Sequence, residues 1–296
     1  MAPSSAAAKS LRFLAVGRQG YANAGTERIA ESMERAARER PTHGVLYLGD
    51  NFYPKGVSSV DDRQWRHKFE HLYSGAYLRG MPFFPVLGNH DHEGNPNAQV
   101  QYSHLQRGSA RWQMDGLFYA RDFGRMNDCV LMRVAFLDTV TLRTDGDAQL
   151  RFLEDTFAAP GDPLWRLVVG HFGCRSLTNE PYTRRLTLGS LLGPLIRSQV
   201  DLYLSANDRF QQILDRAGEP LHVSANGGGG QRELGLRPAD PHTDFVVSQP
   251  GFAVIEADAN RLSVELRDAG GTIAYVRSRS LYPNVATKAA QFAPAS

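Results

Sequence analysis

Cysteine is nearly absent: Cys129 and Cys174 are the 2 in 296 residues. They are too few for a disulfide framework and too far apart for a close-spaced metal motif, so both are expected as buried thiols. No stretch approaches the roughly 18 consecutive apolar residues that a spanning helix needs, which argues against a membrane span. A surplus of one charge is also lacking. Lys and Arg number 33 against 31 Asp and Glu, for a net charge of +2, without the clustered basic face that a nucleic-acid partner requires. The segment 1–10 has no apolar h-region of roughly 7–15 residues, so secretion is not expected. The cysteine usage agrees with an intracellular place, cytoplasmic or cytoskeletal; Lys9 and Arg12 with no acid beside them leave mitochondrial import open. There is no internal repeat. The glycine run Gly227 to Gly230 is read as a loop, because no strand-to-helix context with Lys-Ser/Thr follows it.

With 42% hydrophobic residues the chain can bury a sizeable core. It reads as an N-terminal leader or arm over 1–10, one domain over 11–281, and a polar, alanine-rich tail over 282–296. Leu11 to Val16 is short, apolar and ended by Gly17, the pattern of a buried strand. A helix follows, with Thr26 as its cap, Ile29, Met33, Ala36 and Ala37 at helical spacing, and Pro41 beyond its end. Val45 to Leu48 repeats the strand pattern and completes a β-α-β unit. Further apolar strands are expected at Phe83 to Leu87, Val130 to Leu137, Leu167 to Val169 and Leu202 to Leu204. Beyond Leu221, alternating segments at Phe252 to Glu256, Arg261 to Leu266 and Thr272 to Val276 predict a meander that closes a second sheet.

Several strands run into a short polar cluster, and in open α/β folds ligands collect outside the carboxyl ends of strands. The clusters are Gly17-Arg18-Gln19-Gly20, Gly49-Asp50-Asn51-Phe52-Tyr53, Gly88-Asn89-His90-Asp91-His92, Gly170-His171 and Ala206-Asn207-Asp208-Arg209. Any one alone is weak: an Asn-His pair after a strand is usually a satisfied turn. Five in this order resemble the five signature motifs of the calcineurin-like metallophosphoesterases. Tyr53 after Asp50, the run Gly88 to Asn95, Arg111-Trp112, Leu137 to Leu142 and Gly251 to Glu256 resemble the purple acid phosphatase (tartrate-resistant acid phosphatase) branch.

The resemblance implies an α/β fold, a four-layer α/β/β/α sandwich of two mixed β-sheets flanked by helices. It also implies an ancestral acid phosphatase chemistry in which a ferric and a divalent ion, about 3.5–4 Å apart, generate a hydroxide and clamp the ester. Position by position it makes Asp50 the bridging ligand, Tyr53 the tyrosinate, Asn89 and His171 further metal ligands, and His90 and His92 the phosphate-side histidines. The departures fall on the ligands. The first cluster has Arg18 where the family has aspartate, and the last has Asn207 and Arg209 where it has histidines.

A guanidinium has no lone pair for a metal and does not deprotonate in proteins. The ferric position therefore keeps only Asp50 and Tyr53, and the expectation is a pseudophosphatase acting as an intracellular interaction or scaffold protein with a protein partner. Arg18, Arg209 or both are expected to pair with Asp50, since a buried carboxylate without its metal costs several kcal/mol. Two alternatives stand beside this reading. One is a sensor of phosphate or a phospho-ligand, using the basic pocket of Arg18, Arg209, His90, His92 and His171. The other is a weak phosphomonoesterase with one divalent ion (Zn, Mn or Fe) on Asp50, Asn89 and His171. On the leading reading no cofactor is bound.

Overall fold

The computed structural model describes residues 10–126, 129–142, 144–175, 192–228 and 243–281. The leader at 1–9, the tail at 282–296 and Gly229-Gly230 lie outside these residues, while Ser10 already belongs to the first strand.

Strands β1 (Ser10–Val16), β2 (Gly44–Tyr47) and β3 (Phe83–Pro85) lie parallel and side by side. Their side chains are buried almost throughout, as the continuous apolar runs require of strands covered on both faces. Helix α1 (Ala24–Glu39) connects β1 to β2 and lays Ile29, Met33 and Ala36 on the core, with roughly 1.5–3 kcal/mol of burial for each of the two larger side chains. Its cap is Asn23 rather than Thr26. The Asn23 carboxamide oxygen accepts the N–H groups of Gly25 and Thr26 at 3.0 Å each, and the Thr26 hydroxyl accepts the Asn23 N–H at 2.9 Å. Thr26 is thus the third helical residue of a reciprocal capping box, which starts the helix three residues earlier than expected.

After β2 come a short helix α2 (Arg63–Trp65), a π turn at Arg66–Glu70, then α3 (Asn89–His92) and α4 (Pro96–His104) beyond β3. Strands β4 (Tyr119–Met126), β5 (Cys129–Phe136), β6 (Trp165–Val169), β7 (Leu202–Ser205), β8 (Gln211–Leu214), β9 (Leu221–Ser224) and β10 (Thr243–Val247) form a seven-stranded sheet, ordered β10-β8-β9-β7-β6-β5-β4. Its outer face is covered by α5 (Gly146–Ala158), through Leu153 and Phe157, and by α6 (Gly193–Gln199), through Ile196.

The C-terminal meander, β11 (Gly251–Asp258), β12 (Arg261–Asp268) and β13 (Ile273–Ser280), is present but does not close a second sheet. It extends the first one, giving β13-β12-β11-β1-β2-β3, with β11 antiparallel to β1. The burial of Phe252 to Ile255 at 0% each explains the placement, because an edge or half-covered strand would expose alternate residues. The result is two mixed sheets with flanking helices. Cys174 is the buried thiol expected, its pKa pushed up to about 12 by burial. Cys129, at the start of β5, is half-exposed instead.

Candidate functional site

The polar clusters meet where parallel strands of both sheets end. Arg18 N–H donates to Gly49 O at 2.9 Å, Gly17 N–H to Ala225 O at 3.1 Å, and Ala206 N–H to His171 O at 3.1 Å. Close backbone approach demands small residues here. A Cβ on Gly88 would lie 2.2 Å from Asp50 N and 2.3 Å from its Oδ1, and Gly49 holds a φ of 85°, in the left-handed region that favours glycine. These contacts let Asp50 turn its carboxylate into the interior at φ 55°, fully buried.

Four groups surround that carboxylate. The Tyr53 hydroxyl donates to Oδ2, and the His90 N–H donates to Oδ1 at 3.2 Å. His171 Nε2 lies 3.4 Å from Oδ1, and Arg18 Nη1 lies 3.9 Å from Oδ2. Arg18 is itself 95% shielded from solvent, at 5% exposure, and donates to the backbone oxygen of Asn207 at 3.3 Å. Burial works against the Asp50 charge, but His171, Arg18 and the Tyr53 hydroxyl together hold its carboxyl below the usual range. Burial lowers the His171 pKa as well, so near neutral pH its imidazole is uncharged and Arg18 is the lasting cation beside Asp50. Burial and the Asp50 charge push the Tyr53 phenol well up, so it keeps its proton and acts as a donor.

The other expected site residues fall around this centre. His171 Nδ1 faces Leu48 O at 2.8 Å. A carbonyl only accepts, so Nδ1 carries the proton, and Nε2 is a buried lone pair with no hydrogen bond. His90 Nδ1 likewise donates to Pro54 O at 2.7 Å. His92 Nε2 meets both oxygens of buried Asp138 at 3.0 and 2.9 Å; burial opposes its charge, but the Asp138 hydrogen bond wins and raises its pKa. Asn89 opens α3, half-buried. Asn207 is buried, and its backbone oxygen accepts from Arg18. Arg209 is half-buried beyond Asp208, whose Oδ2 accepts from Gln212 Nε2 at 2.6 Å. Of the two expected arginine contacts to Asp50, the one from Arg18 is present.

For two metals the donor set does not fit. Asp50 Oδ2 accepts the Tyr53 hydroxyl and is faced by the Arg18 guanidinium, which has no lone pair to offer a metal. Among the described residues, no group of three or more His, Cys, Asp or Glu side chains is arranged to hold a metal ion. One divalent ion would find the His171 Nε2 lone pair and Asp50 Oδ1, with Asn89 as the neighbouring family position.

Residues 22–206 match the family described as calcineurin-like phosphoesterase. The chain belongs to this family. Within it, the chain is 29% identical over 296 residues to human tartrate-resistant acid phosphatase type 5, covering 90% of this chain and 89% of that protein. It is 30% identical over 291 residues to the pig protein of the same name, covering 88% and 84%, which places it in the tartrate-resistant, purple acid phosphatase branch. Among solved structures, GAP50, the anchor in the inner membrane complex of Plasmodium, superposes with a TM-score of 0.78 at 24% identity, covering 92% of this chain and 89% of that one. That likeness concerns the fold.

This family member also carries site residues that the motifs did not assign. Asp91, fully buried, accepts the N–H groups of Gly88 (2.8 Å), Asn51 (3.0 Å) and Phe52 (3.2 Å) and the side-chain amide of Gln99 (2.9 Å). It thereby ties the second and third clusters together. Tyr21 stacks on Tyr53 with ring centroids 4.0 Å apart, and the His90 ring lies 4.4 Å from Tyr53. Asp91 and Asp138 stood inside quoted motifs, but only their long-range partners reveal the role. Tyr21 gave no sequence signal. No helix among the described residues is long and apolar enough to cross a membrane.

Proposed function

We propose that this calcineurin-like phosphoesterase is a pseudophosphatase that serves inside the cell as an interaction or scaffold protein. The observation that carries the reading is the buried Arg18 guanidinium 3.9 Å from Asp50, a fixed positive charge in place of a metal ligand. A fixed cation balances the bridging carboxylate yet supplies no Lewis acid and no activated water, so the site retains its charge balance without the two-metal chemistry. The fold accommodates such a role: GAP50, which shares it, is described as an anchor.

A second reading draws on His171. Its bare, buried Nε2 beside Asp50 Oδ1 suits one Zn, Mn or Fe(II) ion, and the weak phosphomonoesterase alternative rests there. The phosphate-sensor alternative rests on the basic pocket of Arg18, Arg209, His90, His92 and His171, in which arginine binds phosphate without a metal.

Hydrolysis separates the three. p-Nitrophenyl phosphate turnover, measured from acidic to neutral pH with added iron, manganese or zinc, is expected to match that of Asp50→Ala in every metal. Metal-dependent turnover that Asp50→Ala abolishes would overturn the proposal. Silence accompanied by phosphate-dependent thermal stabilisation would shift the reading to the sensor.

A further inference from the structure

The π turn after α2 presents a pair of histidines that the phosphoesterase site does not use. The turn closes through His71 N–H to Arg66 O at 2.9 Å. Its inner face is pinned: Trp65 is stacked on Tyr102 with ring centroids 3.6 Å apart, and Phe69 is packed edge-on against Trp112 at 4.9 Å. Residues four apart share a face of a helical turn, so anchoring Trp65 and Phe69 inward fixes His67 and His71 together on the outside. Both are exposed, with ring centroids 5.9 Å apart and planes at 86°.

We infer that His67 and His71 form a surface site for one borderline divalent transition ion, Cu²⁺, Ni²⁺ or Zn²⁺. An imidazole-bound ion lies about 2.0–2.1 Å from the nitrogen, and thus about 3.2 Å from the ring centre. Two rings on a tetrahedral ion then have centres about 5.3 Å apart. The observed 5.9 Å is closed by a small side-chain rotation on an exposed surface.

The order His67-Lys68-Phe69-Glu70-His71 has the spacing of a metallopeptidase motif, but Glu70 is not free to serve it. Its Oε1 accepts from the Tyr102 hydroxyl at 3.0 Å and from Ser109 N–H at 3.1 Å, and its Oε2 meets Arg111 at 3.3 Å. The ion therefore has two protein ligands, with water filling the rest, and no general base. Lys68 is held away from the rings by Gln64 Oε1, at 2.7 Å, and by the Tyr53 carbonyl. The one competitor is Arg66, whose Nε donates to His71 Nε2 at 3.3 Å, an exposed contact that a metal displaces.

Titration calorimetry of untagged, full-length protein with CuCl₂, NiCl₂ and ZnCl₂ tests the site. One surface equivalent is expected, tightest for Cu²⁺ as the general order of divalent affinities dictates. His67→Ala and His71→Ala should each weaken it at least tenfold, with folding unchanged. Arg66→Gln should tighten it, and His171→Ala should leave it intact. Unchanged affinity in both histidine variants, or loss in His171→Ala alone, would overturn the inference.

Discussion

Arg18→Met and Asp50→Asn should each destabilise the protein by about 3 kcal/mol, the low end of the range for breaking one partner of a buried ion pair. The double variant should cost clearly less than the sum. Arg18 is 5% exposed and Asp50 is 0% exposed, so neither charge finds water once its partner is gone. At 3.9 Å the attraction is about 4 kcal/mol at an effective dielectric near 20, comparable with the desolvation cost, so deleting both charges returns much of what each single deletion loses. The Tyr53 hydroxyl and the His90 N–H continue to support the Asp50 carboxylate, which is why the low end applies. Urea unfolding of the four proteins measures the coupling. The pH dependence has a definite sign. Asp50 titrates below its ordinary 3.8 in the fold, so its contribution is complete above that value and is lost as the pH falls through the folded one. A single Arg18→Met cost under about 0.5 kcal/mol, the surface range, would mean that the arginine does not balance Asp50.

Asp91→Ala should be more damaging still. It would strand three backbone N–H groups and the Gln99 amide in the interior, at about 1–3 kcal/mol for each buried unsatisfied group. Against a typical total stability of about 5–15 kcal/mol, the variant is expected to be largely unfolded at room temperature. Asp91→Asn keeps one acceptor and should fold. Burial and the Asp50 charge push the Asp91 carboxyl up to about 7 from 3.8. The native state then holds a proton that the unfolded chain releases, so this group lowers stability progressively from pH 3.8 to about 7, with no further change above. In Asp91→Asn that slope should vanish. Circular dichroism and urea midpoints across this window decide both points; a well-folded Asp91→Ala would show that other groups carry the junction of the two clusters.

The parts of the fold that were legible are those with strong local patterns. The apolar runs of β1, β2, β6 and β7 and the spacing in α1 identify themselves. The strands β4 and β8 did not, because both are rich in polar side chains; the Gln211 amide, for one, is buried in β8 and donates to the backbone oxygen of Arg267, far along the chain. The meander was legible as strands but not as to sheet, since pairing β11 with β1 joins residues such as Ser10 and Asp258 from opposite ends of the domain, a register no local pattern encodes. At the site, Arg18 could be placed against Asp50 because both follow directly on parallel neighbours. Asp91, Asp138 and Tyr21 acquire meaning only from contacts to Asn51, His92 and Tyr53. That Arg18 reaches Asp50 depends on side-chain direction, which spacing does not give.

The most direct measurement is iron stoichiometry after incubation with ferric and ferrous salts and removal of excess, read together with the visible spectrum. Arg18 beside Asp50 and a protonated Tyr53 predict far less than one ferric ion per chain and no tyrosinate-to-iron absorption band. One tightly held ferric ion per chain with that band would contradict the account.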